Sequence, residues 1–137
     1  MNQSDLITDR MKKMHFTIIG YVQNNFNEAS PSEADIIKKS ISKIILNKEF
    51  KDGLYKIEKF EKLNILFYFD KSENFDLQTT TRSGEFRGVF ASCSLRRPSM
   101  IGLTTVNLLK VEDNTLTVTG LDALNNTPVL DIKPVIG

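Results

Sequence analysis

Four of the five arginines, Arg82, Arg87, Arg96 and Arg97, fall within residues 82–97, and Glu85 is the only acid among them. The window carries a local charge of +3 in a chain whose net charge is +1. A guanidinium presents a planar fork that meets phosphate or carboxylate at two points and stacks on bases. That chemistry points to an anionic ligand or an RNA strand. The plainer alternative is that these arginines bond neighbouring acids and loop carbonyls. Elsewhere Lys alternates with acids, as in Lys48-Glu49 and Lys51-Asp52, which is the pattern of a solvated face. The charge therefore describes a local basic patch and not a polybasic coat.

Other reactive side chains are few. The single His15 lies outside every motif, so a His-based triad or a multi-His zinc site has nothing to build on. The single Cys93 excludes an internal disulfide and suits a reducing compartment, the cytoplasm. As a small thiol it reads more naturally as a buried side chain than as a nucleophile. None of the seven glycines forms a Gly-x-Gly pair, so neither a dinucleotide-binding loop nor a P-loop is present. No run approaches the roughly 18 apolar residues that span a bilayer, and the N-terminus lacks the features of a signal peptide. No metal is expected.

The elements that must position these residues are mostly strands. With 137 residues and 40% hydrophobic content, the chain makes one ordinary domain with a real core. Residues 1–14 read as an extension and 15–137 as the domain. Phe16 to Val22 reads as a strand, and 23–35 as a polar loop. Residues 36–47 place Ile at helical spacing, yet their Ile content favours a strand. Lys51 to Phe60 suits a short amphipathic helix. Asn64 to Asp70 is an apolar run of strand length, suited to a buried strand. Residues 71–86 read as irregular, and Gly88 to Ser92 as a short strand. Ile101–Val111 and Thr115–Leu121 pair across Asp113-Asn114, a turn that tolerates positive φ. Thr127 to Ile132 adds a last strand. Six or seven strands with one or two short helices give a mainly β, small single-domain barrel or sandwich.

Two segments carry a longer signature. Residues 87–103 read Arg-Gly-Val-Phe-Ala-Ser-Cys-Ser-Leu-Arg-Arg-Pro-Ser-Met-Ile-Gly-Leu, and residues 120–134 read Gly-Leu-Asp-Ala-Leu-Asn-Asn-Thr-Pro-Val-Leu-Asp-Ile-Lys-Pro. Together with Ile19 to Val22 and residues 53–69, they make the chain resemble the TsaA-like (TrmO) family over about residues 16–136. The resemblance implies a small β-barrel that binds S-adenosylmethionine and is typically a homodimer. It also implies N6-methylation of threonylcarbamoyl-adenosine beside the tRNA anticodon. Where the family has a His at the end of the middle strand, this chain has Asp70. Where it has an Arg in the Ala-Thr-Arg stretch, this chain has Cys93.

The same resemblance implies a cofactor site made of Phe69, Asp70, Cys93, Leu103, Asp122, Ala123, Leu124 and Asn125. Asp122 would hold ribose hydroxyls or an ammonium; its alternative is a turn-closing Asp. Leu103 and Leu124 would flank an adenine or serve as plain core. Arg87, Arg96 and Arg97 would contact tRNA phosphate or the substrate carboxylate. No residue is assigned a catalytic role, because methyl transfer from a sulfonium needs alignment more than a protein nucleophile. The competing expectations are a module that binds S-adenosylmethionine or another adenosine compound without transfer, and a methyltransferase for another acceptor. All of these readings require the Arg-Pro segment and the Leu-Asp turn to share one barrel mouth.

Overall fold

The computed structural model describes residues 14–27, 34–69 and 74–137. The strands are β1 (Gly20–Gln23), β2 (Ile41–Leu46), β3 (Lys62–Tyr68), β4 (Gln78–Thr80), β5 (Phe86–Gly88), β6 (Ile101–Glu112), β7 (Thr115–Thr119) and β8 (Pro128–Pro134), with one short helix, α1 (Ala34–Lys39). Six strands close an antiparallel barrel in the order β1-β2-β7-β6-β3-β8. The remaining two, β4 and β5, form a hairpin of their own. The mainly β barrel expected from the strand pattern is what forms.

Period-two alternation builds the core. Leu63, Ile65 and Phe67 of β3 point inward, as do Ile44 and Leu46 of β2 and Leu116 and Val118 of β7. Gly102 of β6 faces Phe67 across the ladder. A Cβ on Gly102 would sit 2.4 Å from the Phe67 ring, so the large ring fills the space that the missing side chain leaves. The β6–β7 turn at Asp113-Asn114 has Asp113 at φ 53°, as its residue types suggest.

The registers define two barrel ends. Tyr68 pairs with Ile101, Phe67 with Val129, Tyr21 with Pro128 and Ile41 with Thr119. The ends of β1, β3 and β7 therefore lie beside the starts of β2, β6 and β8. Three long connections, 24–40, 69–100 and 120–127, all leave and re-enter at this end, the mouth. The 47–61 connection and the Asp113-Asn114 turn lie at the other end.

Several local expectations need correction. Residues 36–47 divide into α1 and β2 at Ser40. Its N–H donates to the Ile36 carbonyl and its hydroxyl to the Ile37 carbonyl, ending the helix. Lys51 to Phe60 is not an amphipathic α-helix. It is part of two 3₁₀ pieces, Lys48–Leu54 and Ile57–Lys59, separated by Lys56 at φ 67°. Gly88 to Ser92 is not a strand: β5 stops at Gly88, and Val89–Ala91 is a 3₁₀ turn that buries Val89. Residues 74–88 are more regular than expected, because they contain the β4–β5 hairpin. Pairing of the first strand begins at Gly20 and not at Phe16. The expected extension, apart from Met14, and part of the polar loop lie outside the described residues, as does Asp70.

Candidate functional site

The floor of the mouth is the 120–127 connection. Gly120 leaves β7 at φ 88°, and Leu121 and Ala123 turn into the core cluster. Leu124 is buried beside it. Asp122 alternates with these residues and keeps its carboxylate partly open to solvent.

This connection is stitched to the one after β1 by Asn24. The Asn24 Nδ2 donates to the Ser42 Oγ at 3.1 Å and to the Ala123 carbonyl at 2.8 Å. Its Oδ1 accepts the Phe26 N–H at 3.0 Å, and its own N–H donates to the Asn125 Oδ1 at 3.0 Å. The Asn125 N–H in turn donates to the Phe26 carbonyl at 2.6 Å, and the Asn126 N–H to the Val22 carbonyl at 2.7 Å. Ser42 is 1% exposed, so Asn24 also satisfies an interior hydroxyl. Asn24 lies in a stretch of polar turn formers with no feature in the sequence to separate it from its neighbours.

The wall comes from the 69–100 connection. The half-buried Phe69 donates its N–H to the Met100 carbonyl at 2.9 Å, and Leu95 packs against the core beside Gly102. The Arg97 Nη1 donates to the Ser92 and Ser94 carbonyls, both at 3.0 Å, and so holds the loop before β6 in shape. Arg87 meets Glu85 at 2.5 Å and the Ala91 carbonyl at 3.3 Å. Arg96 lies 3.6 Å from Asp76. The alternative of bonds to neighbouring acids and carbonyls is thus realised in each of these three arginines.

Arg82, at the turn of the β4–β5 hairpin, reaches across to the floor. Its Nη2 lies 3.7 Å from the Asp122 Oδ2. This contact joins the β4–β5 hairpin turn to the Leu-Asp turn, and the Arg-Pro segment enters β6 at the same barrel end. Arg82 belongs to the cluster in sequence, but nothing in the sequence marks it over the other three.

Two expected site residues differ from their plain structural readings. Cys93 is exposed, which corrects the buried reading: it lies in a loop where the Ser92 hydroxyl accepts the Ser94 N–H and the Ser94 hydroxyl accepts the Arg96 N–H. Leu103 is 63% exposed on the outer wall, one residue out of phase with Gly102, and is not core. Phe69, Asp122, Ala123, Leu124 and Asn125 lie at the mouth.

A hollow of about 560 Å³ opens beside Asn25, Phe26, Asp35, Lys39 and Ser40, next to the Asn24 network. Other hollows, of about 510 and 360 Å³, lie at the opposite end and the lower wall, lined in part by Lys51 and Asp113 or by Phe50 and Asp131. The mouth combines an open carboxylate, a guanidinium, backbone groups of a tight turn and a buried apolar floor. That donor set matches a small zwitterion attached to a nucleoside: carboxylate for hydroxyls or an ammonium, guanidinium for a carboxylate, apolar surface for a base.

Comparison with known proteins gives the family. The family described as the tRNA-methyltransferase O N-terminal domain matches residues 21–137. The chain is 42% identical over 95 residues to an S-adenosyl-L-methionine-binding protein of Archaeoglobus fulgidus, covering 69% of this chain and 68% of that one. It is 36% identical over 129 residues to the tRNA (adenine(37)-N6)-methyltransferase of Rattus norvegicus, covering 86% of this chain but 30% of the rat protein. The crystal structure of TrmO from Pseudomonas aeruginosa superposes with a TM-score of 0.75 at 28% identity, over 90% of this chain and 56% of that one. The chain thus spans under a third of the mammalian enzyme and just over half of the bacterial one.

Proposed function

The chain belongs to the tRNA-methyltransferase O N-terminal domain family, and on that premise we propose that it is an S-adenosylmethionine-dependent tRNA methyltransferase. Its acceptor is N6 of threonylcarbamoyl-adenosine beside the anticodon. The observation that carries this reading is the meeting of the arginine-rich segment and the Leu-Asp turn at one barrel mouth, bridged by Arg82 and Asp122. The names of the rat and archaeal relatives support the reaction and the cofactor.

The residues present fit the cofactor's chemistry. Asp122 takes its ribose hydroxyls or ammonium, and the turn backbone at Ala123–Asn125, with Leu124 buried beneath it, borders the base. Phe69 closes the apolar side of the mouth. When bound, S-adenosylmethionine supplies a methyl carbon that the substrate nitrogen takes in line, releasing a thioether and a proton. The protein's part is to align, to exclude water and to hold the acceptor. Arg96 offers an exposed guanidinium to RNA phosphate, Arg87 reaches phosphate only by exchanging its Glu85 partner, and Arg97 shapes the loop that presents them. With a net charge of +1, RNA binding is weak and falls steeply with salt.

The active form is a homodimer. Exposed Phe75, Leu77, Phe86 and Phe90 on the hairpin arm, together with Leu103, support it, since isolated domains seldom leave so much large apolar surface uncovered. The protein works in the cytoplasm, in keeping with its single free cysteine. No described helix is long and apolar enough to cross a membrane.

A second reading is favoured by one observation: all four clustered arginines already have partners within the fold. On that reading the barrel binds S-adenosylmethionine or a related adenosine compound without transferring methyl. The two part in one assay, in which tRNA from a strain lacking the methylated base is incubated with labelled S-adenosylmethionine. Methylated threonylcarbamoyl-adenosine in the nuclease digest supports the enzyme. Binding of the cofactor with no methylated nucleoside supports the module.

A further inference from the structure

We propose that Arg82 and Asp122 act together as a clamp for the amino-acid end of the sulfonium donor, and that this clamp decides which adenosine compounds the mouth retains. The proposal rests on the cofactor reading given above and adds to it the residues that discriminate.

The pair is loosely held. At 3.7 Å the contact is an ion pair without a hydrogen bond, and the side chains are 67% and 37% exposed. Neither side chain makes a hydrogen bond elsewhere among the described residues. Arg97 and Arg87 differ, because their guanidinium N–H groups are committed to carbonyl or carboxylate oxygens. Arg82 and Asp122 therefore retain unused donors and acceptors, set side by side with opposite charge.

An α-amino-acid group carries the complementary pair, one carboxylate and one ammonium. Entering beside Arg82 and Asp122, it exchanges one loose contact for two: guanidinium with carboxylate, and Asp122 with ammonium. No charge is left without a partner in the exchange, which is the condition for ion pairs to help binding. Arg82 sits in the hairpin turn closed by the Thr81 N–H to the Glu85 carbonyl and the Gly84 N–H to the Thr81 carbonyl. The guanidinium thus comes from the arm and the carboxylate from the floor, and the ligand bridges the two.

The test is equilibrium binding by calorimetry with two ligands, S-adenosylhomocysteine, which has the amino-acid end, and 5′-methylthioadenosine, which lacks it. The wild-type protein binds the first at least about tenfold more tightly, the scale of one charge-assisted hydrogen bond at a partly exposed site. In Arg82→Ala and Arg82→Gln the preference falls to about twofold or less, while affinity for methylthioadenosine and the melting temperature stay as in wild type. A preference that survives in both variants, or an equal loss for both ligands, overturns the clamp. So does a wild-type protein that binds both ligands alike, although the cofactor reading then stands. A wild-type protein that binds neither ligand overturns the cofactor reading and the clamp together.

Discussion

Removing the Asn24 side chain tests whether the mouth is a built structure or a set of independent loops. In Asn24→Ala the Ser42 hydroxyl, 1% exposed, and the Ala123 carbonyl lose their donor, and the Phe26 N–H loses its acceptor. Three hydrogen bonds at about 1 kcal/mol each put the loss near 3 kcal/mol. For a domain of this size that lowers the melting temperature by about 10 °C. Urea denaturation measures the free energy, and the slope stays unchanged if only the native state is affected. The cycle with Ser42→Ala isolates the interior bond: the double variant is less destabilised than the sum of the singles, by about 1 kcal/mol. The Asn24→Ala variant also binds S-adenosylhomocysteine more weakly, because the turn carrying Asp122 loses the side-chain bond to its Ala123 carbonyl. A cost below about 0.5 kcal/mol, or strict additivity with Ser42→Ala, refutes the reasoning.

Three other contacts give expectations of the same kind. Gly102→Ala places a methyl 2.4 Å from the Phe67 ring and costs about 1–3 kcal/mol in urea unfolding, a penalty that Phe67→Leu in the same chain relieves in part. Arg97→Ala frees the Ser92 and Ser94 carbonyls and raises amide hydrogen exchange across 92–100, with about 1–2 kcal/mol lost; unchanged exchange there contradicts a shaping role. At the far end, the Lys51 ammonium bonds the Asp113 carboxylate at 2.5 Å; that hydrogen bond and then its charge hold the Asp113 carboxyl below the usual range, and Asp113 raises Lys51 in return. The lowered carboxyl stabilises above its unfolded pKa and loses that effect as pH falls through the folded value; the raised lysine stabilises below its unfolded pKa and loses it as pH rises through the folded one. Asp113→Asn, which still accepts positive φ, is therefore slightly less stable than wild type near neutrality, and the two stability curves converge in strong acid.

The sequence discloses what is repetitive or local. Alternation in Leu63-Ile65-Phe67 and Leu116-Val118, with a turn-forming Asp113-Asn114, is enough to place β3 and the β6–β7 hairpin. The two signature segments are enough to identify the family. What the sequence conceals is where a single type of pattern changes hands. Ile37 and Ile41 look like one series, yet the first closes a helix and the second opens a strand, because Ser40 caps the helix between them. Cys93 looks like core because it is small and apolar, but it is exposed in a loop whose backbone N–H groups bond the Ser92 and Ser94 hydroxyls. The contacts that build the mouth are long-range: Asn24 and Ala123 are 99 residues apart, and Arg82 meets Asp122 only after the barrel closes. Neither pairing has a local signal, so charge and hydropathy could place the arginines in a cluster but could not choose Arg82 among them.

The central claim is that one barrel end, formed by residues 82–100 and 120–127, receives the nucleoside ligand. Backbone amide shifts of isotope-labelled protein during titration with S-adenosylhomocysteine test it most directly. The account predicts saturable shifts at Asp122–Asn125, Arg82 and Phe69, with little change around Lys51, Asp113 and Tyr55. Shifts confined to that opposite end, or none at saturating ligand, contradict it.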